Sequence, residues 1–366
     1  MTPQERQTWV RLMGARGEWW TRQPEAVIEP AWEIVDAHCH LWDERHLPDP
    51  QDGALSLRTS RYLLDEFLRD AGSGHRVTAF VYIECGSRWY GGGPEPLRPV
   101  GETGFAAGLA EELMARDSTP ALAGIVAHAD LRTPDLAAVL DVHETAGAGR
   151  LRGIRHSGAR LDDPAARLIA GAAPPGLYRD PDFRRGLALL GERGLPFDAF
   201  QFHFQLAELA ELARATPGTT IVVDHLGAPV GFSRDAAAEA AVFTAWADGV
   251  DRLSDLPNVF MKLGGMASIV TGYDGHLRDS PPSSQAFVAE RGAYFHHAIA
   301  RFGAERCLFE SNFPVDGASI GYRVLWNAYK TIAADYPAAD RQALLAGTAR
   351  RVYRLQPAPS EEPCTE

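Results

Sequence analysis

Along this chain short apolar runs alternate with longer segments that are apolar on one side only. The first run, Ile34-Val35, passes into Asp36-Ala37-His38-Cys39-His40-Leu41-Trp42. A second, Val77-Thr78-Ala79-Phe80-Val81-Tyr82-Ile83, is almost unbroken and is closed by Glu84 and Cys85. Further runs lie at 123–129, 151–156, 196–203, 219–225, 259–263 and 307–310. Strands apolar on both faces are those covered by helices on one side and by other strands on the other. Between the runs, helical spacing appears near 62–70, 105–116, 182–193, 205–216, 237–254 and 283–302, with closing helices at 320–334 and 338–354. Thr133-Pro134-Asp135 supplies a further helix start, with threonine as cap and proline at the first helical position, for a helix running to about 146. Eight strands alternating with helices predict an α/β fold, a single (β/α)8 TIM barrel. An open doubly wound sheet is the alternative, but no glycine-rich phosphate turn follows the first strand.

No linker or repeat interrupts the pattern, so the barrel is expected to occupy residues 31–356. An N-terminal helical arm, residues 1–30, is expected to pack its tryptophans (Trp9, Trp19, Trp20) onto the barrel, and residues 357–366 form a polar tail. At 45% hydrophobic and 23% charged residues the 366-residue chain has the balance of a soluble globular protein. Its net charge of -12 argues against nucleic acid or an anionic membrane as partner, and an anionic substrate would need local arginines. The four cysteines, Cys39, Cys85, Cys307 and Cys364, show no metal-knuckle spacing and suit a reducing compartment. No signal-peptide pattern opens the chain and no apolar run approaches the roughly 20 residues that cross a bilayer. A cytoplasmic location is expected.

Chemistry in such a barrel gathers at the C-terminal ends of the strands. Here those ends carry His38 and His40, Glu84, His128, Arg155 and His156, His203, Asp224 and His225, Lys262, and Glu310 with Asn312. Strand alternation puts His38 and His40 on one face and Cys39 on the other. Each group alone has a plain structural reading. A lone His-x-His is commonly an ordinary pair of core or surface histidines, His128 would sit hydrogen-bonded at the rim, and Lys262 would snorkel or pair with Asp224. Of Arg155 and His156 only one is expected to point inward. Taken together, so many titratable strand ends at one rim mark a functional site.

The motifs are recognisable as a set. His38-Cys39-His40-Leu41-Trp42, Tyr82-Ile83-Glu84-Cys85-Gly86, Gly124-Ile125-Val126-Ala127-His128-Ala129-Asp130, Arg152-Gly153-Ile154-Arg155-His156, Val223-Asp224-His225-Leu226-Gly227 and Phe309-Glu310-Ser311-Asn312-Phe313-Pro314 follow one another in order, with Gly347-Thr348-Ala349-Arg350-Arg351-Val352-Tyr353 near the end. Over roughly residues 31–355 this resembles the amidohydrolase-2 family, and within it the lactonase-like branch of metal-dependent TIM-barrel hydrolases. The resemblance implies a distorted barrel in which His38 and His40 meet His203. It implies one divalent ion, usually zinc, on those three histidines, completed by an aspartate at the last strand; lactonases of the branch can also work without metal. This chain departs there, because Asn312 stands where the aspartate is usual. An amide is a poor ligand and cannot act as a base. Glu310, two residues earlier, or Asp316 on the next loop would supply the carboxylate.

The expected activity is hydrolysis of a lactone or related cyclic acyl bond. Water would be activated at His38, His40 and His203, Glu84 and Glu310 would carry protons beside Asn312, and Arg155, His156, His225, His128 and Lys262 would bind the substrate. Decarboxylation of an aromatic or unsaturated acid is the lyase alternative, with a specialised biosynthetic step on the same scaffold beside it and a non-catalytic metabolite binder as the third reading. The partner is a small molecule. Trp89, Tyr90, Tyr178 and Tyr273 on predicted loops suggest a ring-shaped one, or an interface with a second copy in a homodimer.

Overall fold

Ile34 and Val35 face opposite sides of the first strand, and that division recurs around the molecule. The computed structural model describes residues 19–22, 24–43, 61–116, 119–161, 173–231 and 236–356. Most of the expected arm, the loop segments 44–60 and 162–172 and the polar tail lie outside them. Eight parallel strands follow in chain order around one sheet: β1 (Glu33–Cys39), β2 (Arg76–Ile83), β3 (Ala121–His128), β4 (Leu151–Arg155), β5 (Phe197–Ala199), β6 (Ile221–Val223), β7 (Val259–Leu263) and β8 (Cys307–Phe309). Beyond β8 the ring closes onto β1, as His40 N donates to Phe313 O at 2.8 Å and Asn312 N donates to His38 O at 3.0 Å. This is the α/β TIM barrel expected from the sequence.

Outward side chains such as Ile34, Phe80, Tyr82 and Ile154 join the layer under the helices. Inward ones, Val35, Ala37, Val81, Ile83, Val126, Val222 and Leu308, meet Ala346, Ala349, Val352 and Tyr353 of the closing segment, which plugs the end of the barrel opposite the site. That segment is one expected helix interrupted by a π turn at Ala343–Gly347. In β1 the register shifts between Asp36 and Cys39. The irregularity lets Ala37 and His38, consecutive residues, both serve the interior.

The helices keep to their expected places with shifted ends. Those used below are α1 (Leu64–Ala71), α2 (Val100–Ala115), α3 (Leu136–Ala146) and α4 (Pro181–Glu192). Asp180 caps α4, accepting from Asp182 N at 2.8 Å. Before α3, Pro134 and Asp135 form a turn instead of the first helical residues, so the helix begins later than the threonine-proline signal predicts. The described end of the expected arm is a 3-10 turn, Trp20–Arg22, beside which Trp19 Nε1 donates to Arg278 O at 3.0 Å and Glu25 accepts from Ser284 N at 2.7 Å. Of the aromatics expected on loops, Trp89 and Tyr90 are exposed, whereas Tyr178 and Tyr273 are buried in the core. No helix among the described residues is long and apolar enough to cross a membrane.

Away from the strand ends, His143 of α3 is buried and shares a 2.8 Å hydrogen bond with Thr103 of α2. Burial holds its imidazole down to about 4. Because the unfolded chain takes up this proton near 6.5 and the folded one only near 4, the stability it represents is complete above 6.5 and is lost as pH falls through that window. Between pH 6.5 and 4 the His143→Gln variant should therefore gain up to about 3 kcal/mol on the parent, read from urea unfolding at each pH.

Candidate active site

His40 Nδ1 lies 2.8 Å from the carbonyl oxygen of Ile83. A carbonyl only accepts, so Nδ1 carries the hydrogen and Nε2 has a lone pair, which faces His38 Nε2 at 3.0 Å. On the other side His38 Nδ1 accepts from Lys262 Nζ at 3.0 Å. A chain of donors thus runs from the Lys262 ammonium through both histidines to Ile83. Burial, then the Lys262 charge, lowers the pKa of His38; burial, His38 and Arg155 hold His40 well below the usual range.

Beneath them lies a buried charge cluster. Lys262 is fully buried, 2.6 Å from Asp198 Oδ2 and 2.9 Å from Asp224 Oδ1. Tyr353 Oη donates to Asp198 at 2.9 Å. Burial, partly offset by Lys262, raises the Asp198 carboxyl to about 6. Burial also opposes the charge on Asp224, but Lys262 and His38 outweigh it and hold this carboxylate well below its ordinary range. Arg155 Nε donates to Glu84 Oε1 at 2.7 Å, a second guanidinium nitrogen donates to Glu84 O, and Nη1 reaches Asp224 Oδ2 at 3.4 Å. Lys262 was expected to bind substrate; it cannot, because its register opposite Leu308 places it inside the barrel below the cavity.

His225 opens a run of left-handed residues, with φ of 56°, 53°, 69° and 44° at His225, Leu226, Gly227 and Ala228. Such strain in non-glycine residues gathers at functional sites. Here it aims His225 at Glu310, whose Oε1 accepts from His225 Nδ1 at 2.7 Å and from the His225 backbone N at 3.0 Å. Burial opposes the imidazolium, yet the Glu310 carboxylate outweighs it and raises the His225 pKa. The same partners, with His38, pull Glu310 well below its ordinary range against its burial. The glycine pair after β7 makes the room: a Cβ on Gly264 would sit 2.3 Å from Glu310 Cγ, and one on Gly265 2.5 Å from His225 Cβ.

Above these groups opens a cavity of about 400 Å³. His40, His225, Glu84, Arg155 and Asn312 face it from below, with Trp42, Phe200, Val270 and Val315 as apolar wall. His128, His156, Trp89 and Arg132 form its rim. His128 Nδ1 donates to Arg155 O at 3.1 Å, and His156 Nδ1 accepts from Leu131 N at 3.2 Å. Burial lowers His156 to about 4 and keeps it neutral. Arg155 and His156 both face the cavity, against the expectation that only one would, because β4 ends at Arg155 and strict alternation ends with it.

Other expected residues fall elsewhere. His203 begins a 3-10 turn, its Nδ1 accepting from Val230 N at 3.0 Å. It does not meet His38 and His40, since β5 stops at Ala199 and the alternation that would aim it inward is gone. Glu310 is sealed behind His38 and His225. Asn312 does face the cavity; its amide donates to Asp316 Oδ1 at 2.9 Å, and burial raises that carboxyl to about 7. Asp224, named among the strand ends as a partner for Lys262, does pair with it; Asp198 was missed as a site residue, although a lone charge inside a run as apolar as 196–203 was a readable signal.

The donor set fits a divalent cation. Two imidazole nitrogens 3.0 Å apart form a bite that bonds of about 2.1 Å can span once His38 carries its hydrogen on Nδ1, 2.9 Å from Glu310 Oε2. His38, Asp224 and His225 bring ligand atoms within 4.8 Å of one another, the one such group among the described residues. Among the described residues, the buried carboxylates Glu84, Asp198, Asp224 and Glu310 face two permanent cations, Arg155 and Lys262, which leaves two negative charges for protons or a dication to offset.

Comparison with known proteins places the chain. A family model described as amidohydrolase matches residues 35–355. The uncharacterized protein y4mH of Sinorhizobium fredii is 32% identical over 331 residues, 88% of this chain and 98% of its own. The L-fucono-1,5-lactonase of Burkholderia multivorans is 28% identical over 331 residues, 89% of this chain and 97% of its own. Among solved structures, an amidohydrolase from Burkholderia multivorans with bound HEPES superposes with a TM-score of 0.65 at 25% identity, covering 88% of this chain and 99% of that one. A crystal form described with bound zinc shares the fold at 0.64 and 24%, with the same coverage.

Proposed function

Given that the chain belongs to the amidohydrolase family, we propose that it hydrolyses a lactone or a closely related cyclic ester in the cavity above His225. One observation carries this reading: the Glu310–His225 pair, joined at 2.7 Å, turns the free Nε2 of His225 toward that cavity beside Arg155. The likeness to a lactonase over 89% of the chain supports it. A histidine raised by a buried carboxylate is matched to proton transfer near neutral pH.

Water attacks the lactone carbonyl carbon as His225 Nε2 takes its proton, and Glu310 holds the resulting imidazolium. Arg155 keeps two N–H groups beyond those bound to Glu84 and Asp224, and these receive the oxyanion. The ring C–O bond then breaks, and the alkoxide takes the proton back from His225, leaving a hydroxy acid. Phe200, Val270 and Val315 exclude bulk water from these steps. His38 and His40, with Asp224 beside them, would hold a divalent ion, zinc by the character of the ligands, which would supply Lewis acidity. The partner in this reading is a small molecule, of a size that a cavity of about 400 Å³ suits.

With a δ-lactone such as L-fucono-1,5-lactone in ¹⁸O-water, the product should carry one ¹⁸O in its new carboxylate and release one proton per turnover. Carbon dioxide release from an aromatic acid, or a hydroxy acid without solvent oxygen, would sink the proposal in favour of a lyase.

A further inference from the structure

One buried carboxyl takes no part in these steps. Glu102, near the start of α2, is 2% exposed, and its two oxygens meet donors only. Oε1 accepts from Cys85 N at 2.7 Å and Tyr82 Oη at 2.9 Å, while Oε2 accepts from Trp89 Nε1 at 3.0 Å. Burial and the charge of Glu84 raise this carboxyl to about 7. Trp89 itself is a loop residue, 43% exposed, yet its ring stacks on His128 with centroids 5.3 Å apart and planes at 25°, and it lines the cavity. The loop is also pressed against the helix next to Glu102. A Cβ on Gly101 would sit 2.4 Å from Arg88 O and 3.0 Å from Tyr90 N, which donates to Arg98 O at 2.9 Å. A half-exposed indole held by a buried carboxylate is fixed before any ligand arrives, and preorganisation of that kind shows up in affinity.

We propose that Glu102 is a positioning residue for substrate binding: it holds the Trp89 indole against His128 as a preset wall of the cavity, and takes no part in bond making. The proposal rests on reading the cavity as the substrate site. Glu102→Gln keeps an oxygen for Tyr82 and Cys85 but turns an amide N–H toward the Trp89 N–H, donor against donor.

Two readouts test it. In turnover of the lactone, Glu102→Gln should raise KM about tenfold while kcat stays within about twofold. In a Trp89→Phe background, where no indole N–H remains, the same exchange should change KM by less than about twofold. Independently of activity, in protein labelled with 5-fluorotryptophan, the ¹⁹F resonance that Trp89→Phe removes should shift and broaden in Glu102→Gln. That signal stands even if no lactone is turned over, so a wrong substrate class and a wrong role for Glu102 give different results. An unmoved resonance, or KM effects that multiply in the double variant, overturns the proposal. Should Glu102→Gln lose its near-ultraviolet dichroism, Gly101→Ala becomes the deciding variant. It displaces the Arg88–Tyr90 backbone with the carboxylate intact, and it must reproduce both the ¹⁹F change and the KM rise; failure to do so also overturns the proposal.

Discussion

Replacing His225 by asparagine should lower kcat for lactone hydrolysis about 10²- to 10⁴-fold, the range over which a positioned proton carrier acts. Asparagine is the right substitute because the residue sits at φ 56°, a left-handed conformation that asparagine tolerates and that alanine does not favour. The fold should survive, since the His225 backbone N keeps its 3.0 Å bond to Glu310. Glu310→Gln should cost nearly as much, because an amide neither raises the His225 pKa nor holds its imidazolium. The double variant should be little worse than either single one, as groups acting as a unit are not additive. His203→Ala is the contrasting arm, and its turnover should stay within a few-fold of the parent. Steady-state kinetics with urea unfolding as a fold control decide the matter. A near-normal His225→Asn enzyme, or a dead His203→Ala one, would return the site to the three-histidine arrangement that the motif order suggests.

That contrast shows where the sequence stops being informative. The eight strands were legible because burial on both faces leaves an apolar run that needs no knowledge of neighbours. The His38-x-His40 pair was legible because its two-residue spacing brings both rings together, 3.0 Å apart, but the register shift in β1 was not, and of the two rings it is His40 that lines the cavity. His203 was not, because β5 has only three residues and the chain then leaves strand geometry. Lys262 and Asp198 lie on strands whose mutual register decides whether a charge meets substrate or its opposite, and register is a property of the whole ring. Asn312 looked like a lost ligand. In place it donates its amide to Asp316 and its backbone N to His38 O, so it secures the closure of the barrel at the cavity wall. Glu102 carried no signal, since its meaning comes from a tryptophan that only the loop fold brings to it.

Lys262→Met should be the most destabilising single exchange in the site, by about 3–5 kcal/mol at pH 8. The methionine fills a similar volume, but Asp198 and Asp224, both fully buried, lose the cation 2.6 and 2.9 Å away. The deficit should depend on pH with a definite sign. Even beside Lys262, Asp198 titrates at about 6 in the folded protein, against a reference of 3.8. A carboxyl whose folded pKa is raised contributes stability below its unfolded pKa and loses it as pH rises through the folded one. Without the lysine the folded pKa rises further, so in the variant this loss extends to higher pH than in the parent. Acidifying from pH 8 to 5.5 should therefore narrow the gap between variant and parent. Adding Asp198→Asn, which removes one of the two orphaned charges and keeps an acceptor for Tyr353, should recover a large part of the deficit at pH 8 and flatten its pH dependence. Urea unfolding of the three proteins at both pH values provides the test. A deficit that is the same at pH 5.5 and 8, or one that Asp198→Asn deepens, would mean that Lys262 stabilises the barrel through its packed stem and not as the counter-ion of these two carboxylates.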